Sequence, residues 1–577
     1  LENRGIGDLI AGGAIYRNQG VGKLTKARAT VPAASAAVEA DFDGDGRADL
    51  ALIAADGSLH LLHNQTATKA HWVRVALTGI KNLKLAPAAE VEVKAGASYQ
   101  KRLYRGVPLL FGLGSYQSVD TVRITWPNGL IQNEPKQPVD KPLAYQEAQR
   151  LSGSCPMIFT WNGRRFQFVT DVLGVAPLGA SSGDGTFFPL DHDEYVQIPE
   201  GALALVDGRY EIRITEELRE VSYLDQIKLI AVDHPADLEL FTNDKFKSPP
   251  FPEFRLFGVR NRIYPRKAID HAGRDVRQSL LHRDRVYPSG FRRDYSGTAE
   301  QHHLDLDFGP AAPGNRAVLI LNGWVDWADG STFLQTAQAR KDLVLPYLQV
   351  KDRTGQWQTV IADMGIPAGK PKTIAVDLTG KFLSDSREIR IVTNLCVYWD
   401  EIFLGEQSAA PPVRQTELAP QAADLRFRGF SKPTIDPTRK QPEAFDYHQW
   451  MPVSMWNPTH GNYTRYGDVR DLVADIDDRL VIMGSGDELR LRFGQPAAPL
   501  PRGWKRDYLL LVDGWAKDAD ANTAFSQTVE PLPFHRMRRY GDPFPDDASH
   551  RRYREQYNTR PALQLIRPLM SKVFRDE

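Results

Sequence analysis

The sequence predicts a mainly β protein. Short runs rich in Val, Ile, Leu, Tyr and Phe recur along it, among them 210–214 (YEIRI), 226–232 (QIKLIAV), 317–321 (AVLIL), 389–392 (IRIV) and 508–512 (YLLLV). Many alternate with polar residues, the period-two pattern of a half-buried strand. The 45 Gly and 39 Pro punctuate these runs with turns. Helical periodicity is clear mainly near the C-terminus, at 548–557. Packed antiparallel sheets are the architecture such a pattern supports.

At 577 residues the chain has room for three to five domains of roughly 100–200 residues each. Lys+Arg and Asp+Glu number 72 each. With no net charge there is no global field to draw in nucleic acid or an acidic membrane surface. No apolar run approaches the roughly 18 residues of a membrane-spanning helix. The two cysteines, Cys155 and Cys396, exclude a Cys-rich zinc module or an iron–sulfur site. Both are expected as buried thiols, with one long-range disulfide as the alternative. The chain opens on Leu1 inside what reads as a repeat, so upstream sequence is expected.

The sharpest local signal is Asp41-Phe42-Asp43-Gly44-Asp45-Gly46-Arg47-Ala48-Asp49. Calcium takes six to eight hard oxygens, and carboxylates at alternate positions of a tight loop supply them. Gly44 and Gly46 allow the backbone to curl. Arg47 would offer its main-chain carbonyl, so its charge does not count against it. Without a cation the clustered aspartates repel one another. The metal ligands expected are therefore Asp41, Asp43, Asp45, Arg47 and Asp49, with Ca2+ as the ion. No Glu stands at position 12 and no helix precedes the loop, so this is not an EF-hand.

The DxDxDGxxD loop, the strand 50–53 and a second strand ending at Asn64 resemble the FG-GAP repeat, a propeller-blade motif. An incomplete copy without its metal loop spans 8–20. Residues 1–66 are read as partial FG-GAP blades. Next come 71–79 (HWVRVALTG), 89–93 (AEVEV), 111–114 (FGLG) and 119–129 (VDTVRITWPNG). In that order they resemble the UnbV/ASPIC domain of the cartilage acidic protein-like bacterial family, assigned here to 67–135. Residues 81–88 (KNLKLAPA) depart from the Ser-Asn-Arg and Gly-rich stretch usual in that family. The resemblance implies a calcium-stabilised protein that is secreted, periplasmic or at the cell surface. It defines no reaction.

Two Pro-rich stretches are expected as linkers, 136–152 and 411–445. Between and after them lies an internal repeat. Residues 304–308 (LDLDF) precede a Pro-Ala-Ala-Pro turn, as do 489–493 (LRLRF). Gly323-Trp324 then opens GWVDWADGSTFLQT, and Gly514-Trp515 opens GWAKDADANTAFSQT. Two related, jelly-roll-like β-sandwiches are predicted, one over 153–410 and one over 446–577 with a C-terminal helix. In the Gly-Trp loops the indole is expected to pack under a turn while Asp and Thr bond the local backbone. The alternative is an aromatic-plus-carboxylate ligand site of Trp324, Asp329, Trp515 and Asp520.

Other polar features have bland readings. Asp191-His192-Asp193-Glu194 suits a metal or acid/base work, but also a solvated loop. In 387–405, Trp399 is expected to face inward, with Asp400 and Glu401 at a rim. Residues 245–295 hold thirteen Lys/Arg against five Asp/Glu and read as an insertion that wraps its own domain. No HExxH, P-loop or GxGxxG motif is present. The function expected is an extracellular or envelope recognition or scaffold protein that meets a protein or glycan partner at its surface, or joins a larger assembly. The rival is an enzyme acting on extracellular polysaccharide, with two carboxylates in a cleft between the sandwiches.

Overall fold

The computed structural model describes residues 2–80, 82–148, 156–183, 186–294, 297–310, 316–326, 330–407, 412–452, 456–520, 522–562 and 575–576. Antiparallel sheets dominate. Among these residues the α-helices are Gly330–Gln338 and Ala548–Gln556. The second begins where the sequence placed it, and Asp547 caps it by accepting from Ser549 N and His550 N. The described residues up to 148 form one compact unit, and those from 156 onward form another.

The N-terminal unit starts with two three-stranded sheets. One joins Leu9–Ala11, Ala14–Asn18 and Leu24–Thr30; the other joins Ala34–Ala40, Asp49–Ala54 and Leu59–Leu62. In the third sheet, His71–Thr78 lies between Leu109–Gly114 and Lys141–Gln146, the latter parallel to it. A four-stranded sheet follows the order Ile131–Gln137, Val119–Thr125, Glu90–Ala95, Ser98–Leu103. Val73, Val75 and Leu77 are buried in alternation. Residues 136–152 are therefore not a linker throughout, because strands occupy 131–137 and 141–146. Pro135 and Pro142 misled the sequence reading: both stand on edge strands, where a missing N–H is tolerated.

The C-terminal unit is one sandwich with another inserted into it. One outer sheet has the order Phe166–Asp171, Met157–Trp161, Arg209–Thr215, Asp487–Phe493, Pro420–Phe427, Gly467–Asp468. The facing sheet runs Asp193–Ile198, Trp504–Lys517, Val221–Pro235, Arg414–Leu418. Ile212, Ile214, Leu489 and Leu491 meet Leu229, Leu510 and Val512 in a shared core. Residues 239–407 build the inserted sandwich. Its sheets run Glu239–Thr242, Leu256–Ile263, Val397–Gln407, Ala317–Val325, Lys372–Asp377, and Lys267–Asp270, Thr298–Pro310, Ser386–Leu395, Tyr347–Lys351, Trp357–Ile361.

The repeat is thus real in strands but not in chain order. Residues 446–577 do not make a sandwich by themselves. Asp487–Phe493 and Trp504–Lys517 pair with strands from 193–235. The stretch 411–445, expected as a linker, contributes Arg414–Leu418, Pro420–Phe427 and Phe430–Thr434.

The two copies share register. Leu304 and Leu306 face Ile391 and Ile389, and Leu489 and Leu491 face Ile214 and Ile212. Each isoleucine pair lies in the same tetrapeptide, Glu-Ile-Arg-Ile, at 388–391 and 211–214. Trp324 faces Tyr398 as Trp515 faces Tyr223. A Cβ on Gly323 would stand 2.5 Å from the Tyr398 carbonyl oxygen, and one on Gly514 would stand 2.1 Å from that of Tyr223. Only glycine allows this approach. Both copies then bulge, at Asp400 and at Asp225. Each bulged carboxylate accepts two consecutive backbone N–H groups, of Asp284 and Arg285 in one copy and of Asp477 and Asp478 in the other. Arg285 and Asp478 both sit in the left-handed region, at φ 65° and 63°.

Candidate functional site

Loop 41–49 turns between the antiparallel strands Ala34–Ala40 and Asp49–Ala54. Gly44 and Gly46 both take φ +82°. A Cβ on Gly46 would fall 1.9 Å from Trp72 Cε2, so an L side chain there meets both the wrong backbone region and an indole. Asp41 accepts from Gly44 N at 2.8 Å and Gly46 N at 3.2 Å, and Asp43 accepts from Asp45 N at 3.2 Å. Asp49 is buried. Its two oxygens accept from Phe42 N at 3.0 Å and Asn64 N at 2.7 Å, which ties the loop to the end of the following hairpin.

Asp41, Asp43 and Asp45 each bring a carboxylate oxygen within 4.8 Å of the others, and Asp43, Asp49 and His63 form an overlapping set. Cations of the chain also reach this turn. Arg74 Nη1 stands 2.9 Å from Asp41 Oδ2, and the Arg47 guanidinium bonds Asp45 and the Asn64 carbonyl. Of the residues expected as metal ligands, Asp41, Asp43 and Asp45 come together, and Asp49 joins Asp43 and His63. Asp49 is in addition a structural brace, and the Arg47 side chain is part of the loop's own charge balance.

The Gly-Trp loops turn inward. Trp324 is buried and stacks on Tyr398 at 4.6 Å and 10°. Trp515 is buried with its centroid 4.9 Å from that of His535. Asp520 is buried and accepts from Asn522 N at 2.8 Å. Asp329 lies outside the described residues, as does Cys155. Neither indole presents a face to a ligand, so packing replaces the ligand-site reading for Trp324 and Trp515. Cys396 is a buried free thiol, pushed up to about 12 by burial. Asp400 does not form a rim, while Glu401 borders a cleft. Both are buried, the first holding the bulge and the second accepting from Arg262 and Tyr264, each at 2.7 Å.

The basic segment pairs internally. Arg262 lies over Phe403 and joins Glu239 to Glu401. Arg255 lies over Phe257 and reaches Asp377, and Arg274 pairs with Asp270. Arg262 and Tyr264 also line a cleft of about 490 Å³ between the two sandwiches, with Glu194, Glu239, Asp244, Lys372 and Glu401. Lys372 Nζ stands 2.6 Å from Glu194 and 3.0 Å from Asp171. Burial raises the carboxyls of Glu194 and Asp244 above the usual range.

The polar tetrad at 191–194 divides. Glu194 faces the cleft, while His192 turns the other way, to Asp513. Burial and the neighbouring Asp193 push Asp191 up to about 7. His192 meets residues more than 300 positions away, a convergence with no local sequence signal.

No curated protein matches the chain. A solved structure of Sulfolobus Turreted Icosahedral Virus is 8% identical and aligns over 57% of this chain and 91% of that chain, with a TM-score of 0.10, too low to carry an argument. Residues 86–152, which include FGLG at 111–114 and WPNG at 126–129, match the model of the family described as ASPIC and UnbV.

Proposed function

We propose that loop 41–49 binds one calcium ion as an FG-GAP-type loop, and that the protein is an exported β-rich recognition or scaffold protein for protein or glycan partners. The carrying observation is the convergence of Asp41, Asp43 and Asp45 on one turn of paired left-handed glycines. All the side-chain donors of that set are hard carboxylate oxygens, which suits calcium over softer ions. The three carboxylates and the Arg47 carbonyl would hold the ion, while Asp49 fixes the loop to Asn64. The ion would neutralise the clustered acids and brace the hairpin. The ASPIC and UnbV match that follows at 86–152 supports the same family resemblance.

The cleft favours recognition over hydrolysis of polysaccharide. Among the described residues its lining contains no Trp. Glu239 and Glu401 both bond Arg262, Glu194 pairs with Lys372, and Asp244 accepts from Tyr195 N, so none of these four stands free as an acid or a nucleophile. A glycan array run beside a hydrolysis screen separates the two readings: retention without turnover is expected, and turnover of any polysaccharide would overturn the assignment.

Calcium at 100 times its Kd should stabilise the N-terminal unit by about 2.7 kcal/mol. In scanning calorimetry that unit's transition should move up with calcium and down with EDTA. Asp43→Ala should abolish the difference. A wild-type transition indifferent to EDTA would remove the calcium loop.

A further inference from the structure

The bulge of the outer sandwich differs from its counterpart in the side chains around it. Where the inserted sandwich has Asn322 and Arg285, the outer one has Asp513 and Asp478, by the shared register and left-handed turn. Asn322 donates to the Lys372 carbonyl and to Thr373 Oγ1. Asp513 instead gathers two imidazoles. His192 Nδ1 stands 2.7 Å from Asp513 Oδ2, and His535 Nε2 stands 2.9 Å from Asp513 Oδ1. The His192 and His535 rings are 4.5 Å apart, edge to face. One donor atom from each of the three residues lies within 4.8 Å of the other two.

We propose that His192, Asp513 and His535 form a second metal site, for a divalent transition ion of the zinc class. The donor set is two nitrogens and one oxygen, which suits zinc and not the calcium of loop 41–49. Three protein ligands leave a fourth position for water or a ligand group. Ligand atoms around tetrahedral zinc stand roughly 3.3 Å apart. The two imidazole nitrogens now meet different oxygens of Asp513, so the carboxylate must turn to present one oxygen to an ion held by both rings. The His192 side chain is 42% exposed, which gives an ion a way in, while Asp513 is buried beneath it.

The outer shell has the form such sites use. His535 Nδ1 lies 2.7 Å from Asp478 Oδ1, and Asp478 also accepts from His535 N at 2.9 Å. A carboxylate on the far nitrogen fixes the tautomer and turns Nε2 toward the metal. Asp225 is 3.5 Å from His535 Nδ1, but its oxygens accept the N–H groups of Asp477 and Asp478, so it positions the loop rather than the ion. Either a proton or the metal bridges each imidazole to Asp513. Metal binding therefore releases protons. The copy with Asn322 and Arg285 builds the same bulge without this set, so the fold itself does not require it.

The test is zinc titration of the full chain by calorimetry in two buffers of different ionisation enthalpy, with cobalt absorption reporting geometry. One zinc per chain at this site, proton release and an intense tetrahedral cobalt spectrum are expected. His192→Ala, at a half-exposed position, should weaken zinc at least about 100-fold without loss of the fold. Asp513→Asn, which copies the other sandwich, should do the same. Asp43→Ala should leave zinc binding intact, which separates this site from the calcium loop. No zinc binding, zinc binding unchanged by both His192→Ala and Asp513→Asn, or a weak octahedral cobalt spectrum would overturn the proposal.

Discussion

Glu443→Ala should destabilise the C-terminal unit by about 3–5 kcal/mol. Glu443 and Lys370 are each 2% exposed, with Lys370 Nζ 2.6 Å from Glu443 Oε2. The other Glu443 oxygen is 3.3 Å from Arg439 Nη1. The Lys370 backbone is anchored through its N–H on the Asp171 carboxylate, and its side chain is enclosed. Gly369 beside it sits at φ +82°, and a Cβ there would fall 2.0 Å from Asp171. Removing the carboxylate leaves an ammonium in the interior without its closest counter-charge. The pair itself need not be stabilising relative to apolar residues. Lys370→Met with Glu443→Leu should therefore recover most of the loss. Urea denaturation of the wild type, both single variants and the double variant measures this as a cycle. A loss below about 1 kcal/mol in Glu443→Ala would mean that solvent or another partner compensates the lysine's charge.

What could be read from the sequence was what lies close together in the chain. Loop 41–49 carries its acids on nine consecutive residues, and the structure brings them to one turn. The Gly-Trp and Leu-x-Leu-x-Phe matches were visible because both members follow one another in each copy. The third member, Glu-Ile-Arg-Ile, was hidden by order: it comes after its partners in the inserted sandwich, at 388–391, and before them in the outer one, at 211–214. A comparison in linear order cannot align them, so the second copy looked like a separate domain. Pro135, Pro142 and Pro420 lie at strand edges, in sheet-end strands or where the register shifts, and there proline signals a break without causing one. The His192, Asp513 and His535 cluster was illegible for a further reason. Its members come from three segments, and the difference that marks it, Asp513 against Asn322, has meaning only once the register is known.

The same register exposes a second divergence, with a consequence for pH. Asp326 and Lys517 follow Trp324 and Trp515 by two residues. Asp326 is buried between the guanidiniums of Arg293 and Arg439. Lys517 is buried with mainly neutral partners: its Nζ donates to the Val529 carbonyl at 3.0 Å and meets Tyr540 OH at 2.8 Å, and the Tyr223 ring centroid is 5.7 Å away. Burial pulls its pKa down to about 7, against the weaker pull of Glu530 and Asp518. The ordinary lysine value applies in the unfolded chain. Between the two values the unfolded state holds a proton that the folded state lacks, so stability rises with pH by about 1.4 kcal/mol per unit. That contribution is complete above the unfolded value and is lost as pH falls through 7. From pH 7 to 9 the wild type should therefore gain about 2–3 kcal/mol relative to Lys517→Met, whose side chain has nothing to titrate. Lys245, lowered by burial to about 8, acts with the same sign in both proteins and cancels in the difference. Urea midpoints of the C-terminal unit at pH 7, 8 and 9 measure it. Parallel profiles would mean that Lys517 keeps its proton on folding, and that water or Glu530 reaches it where the structure shows carbonyl and phenol.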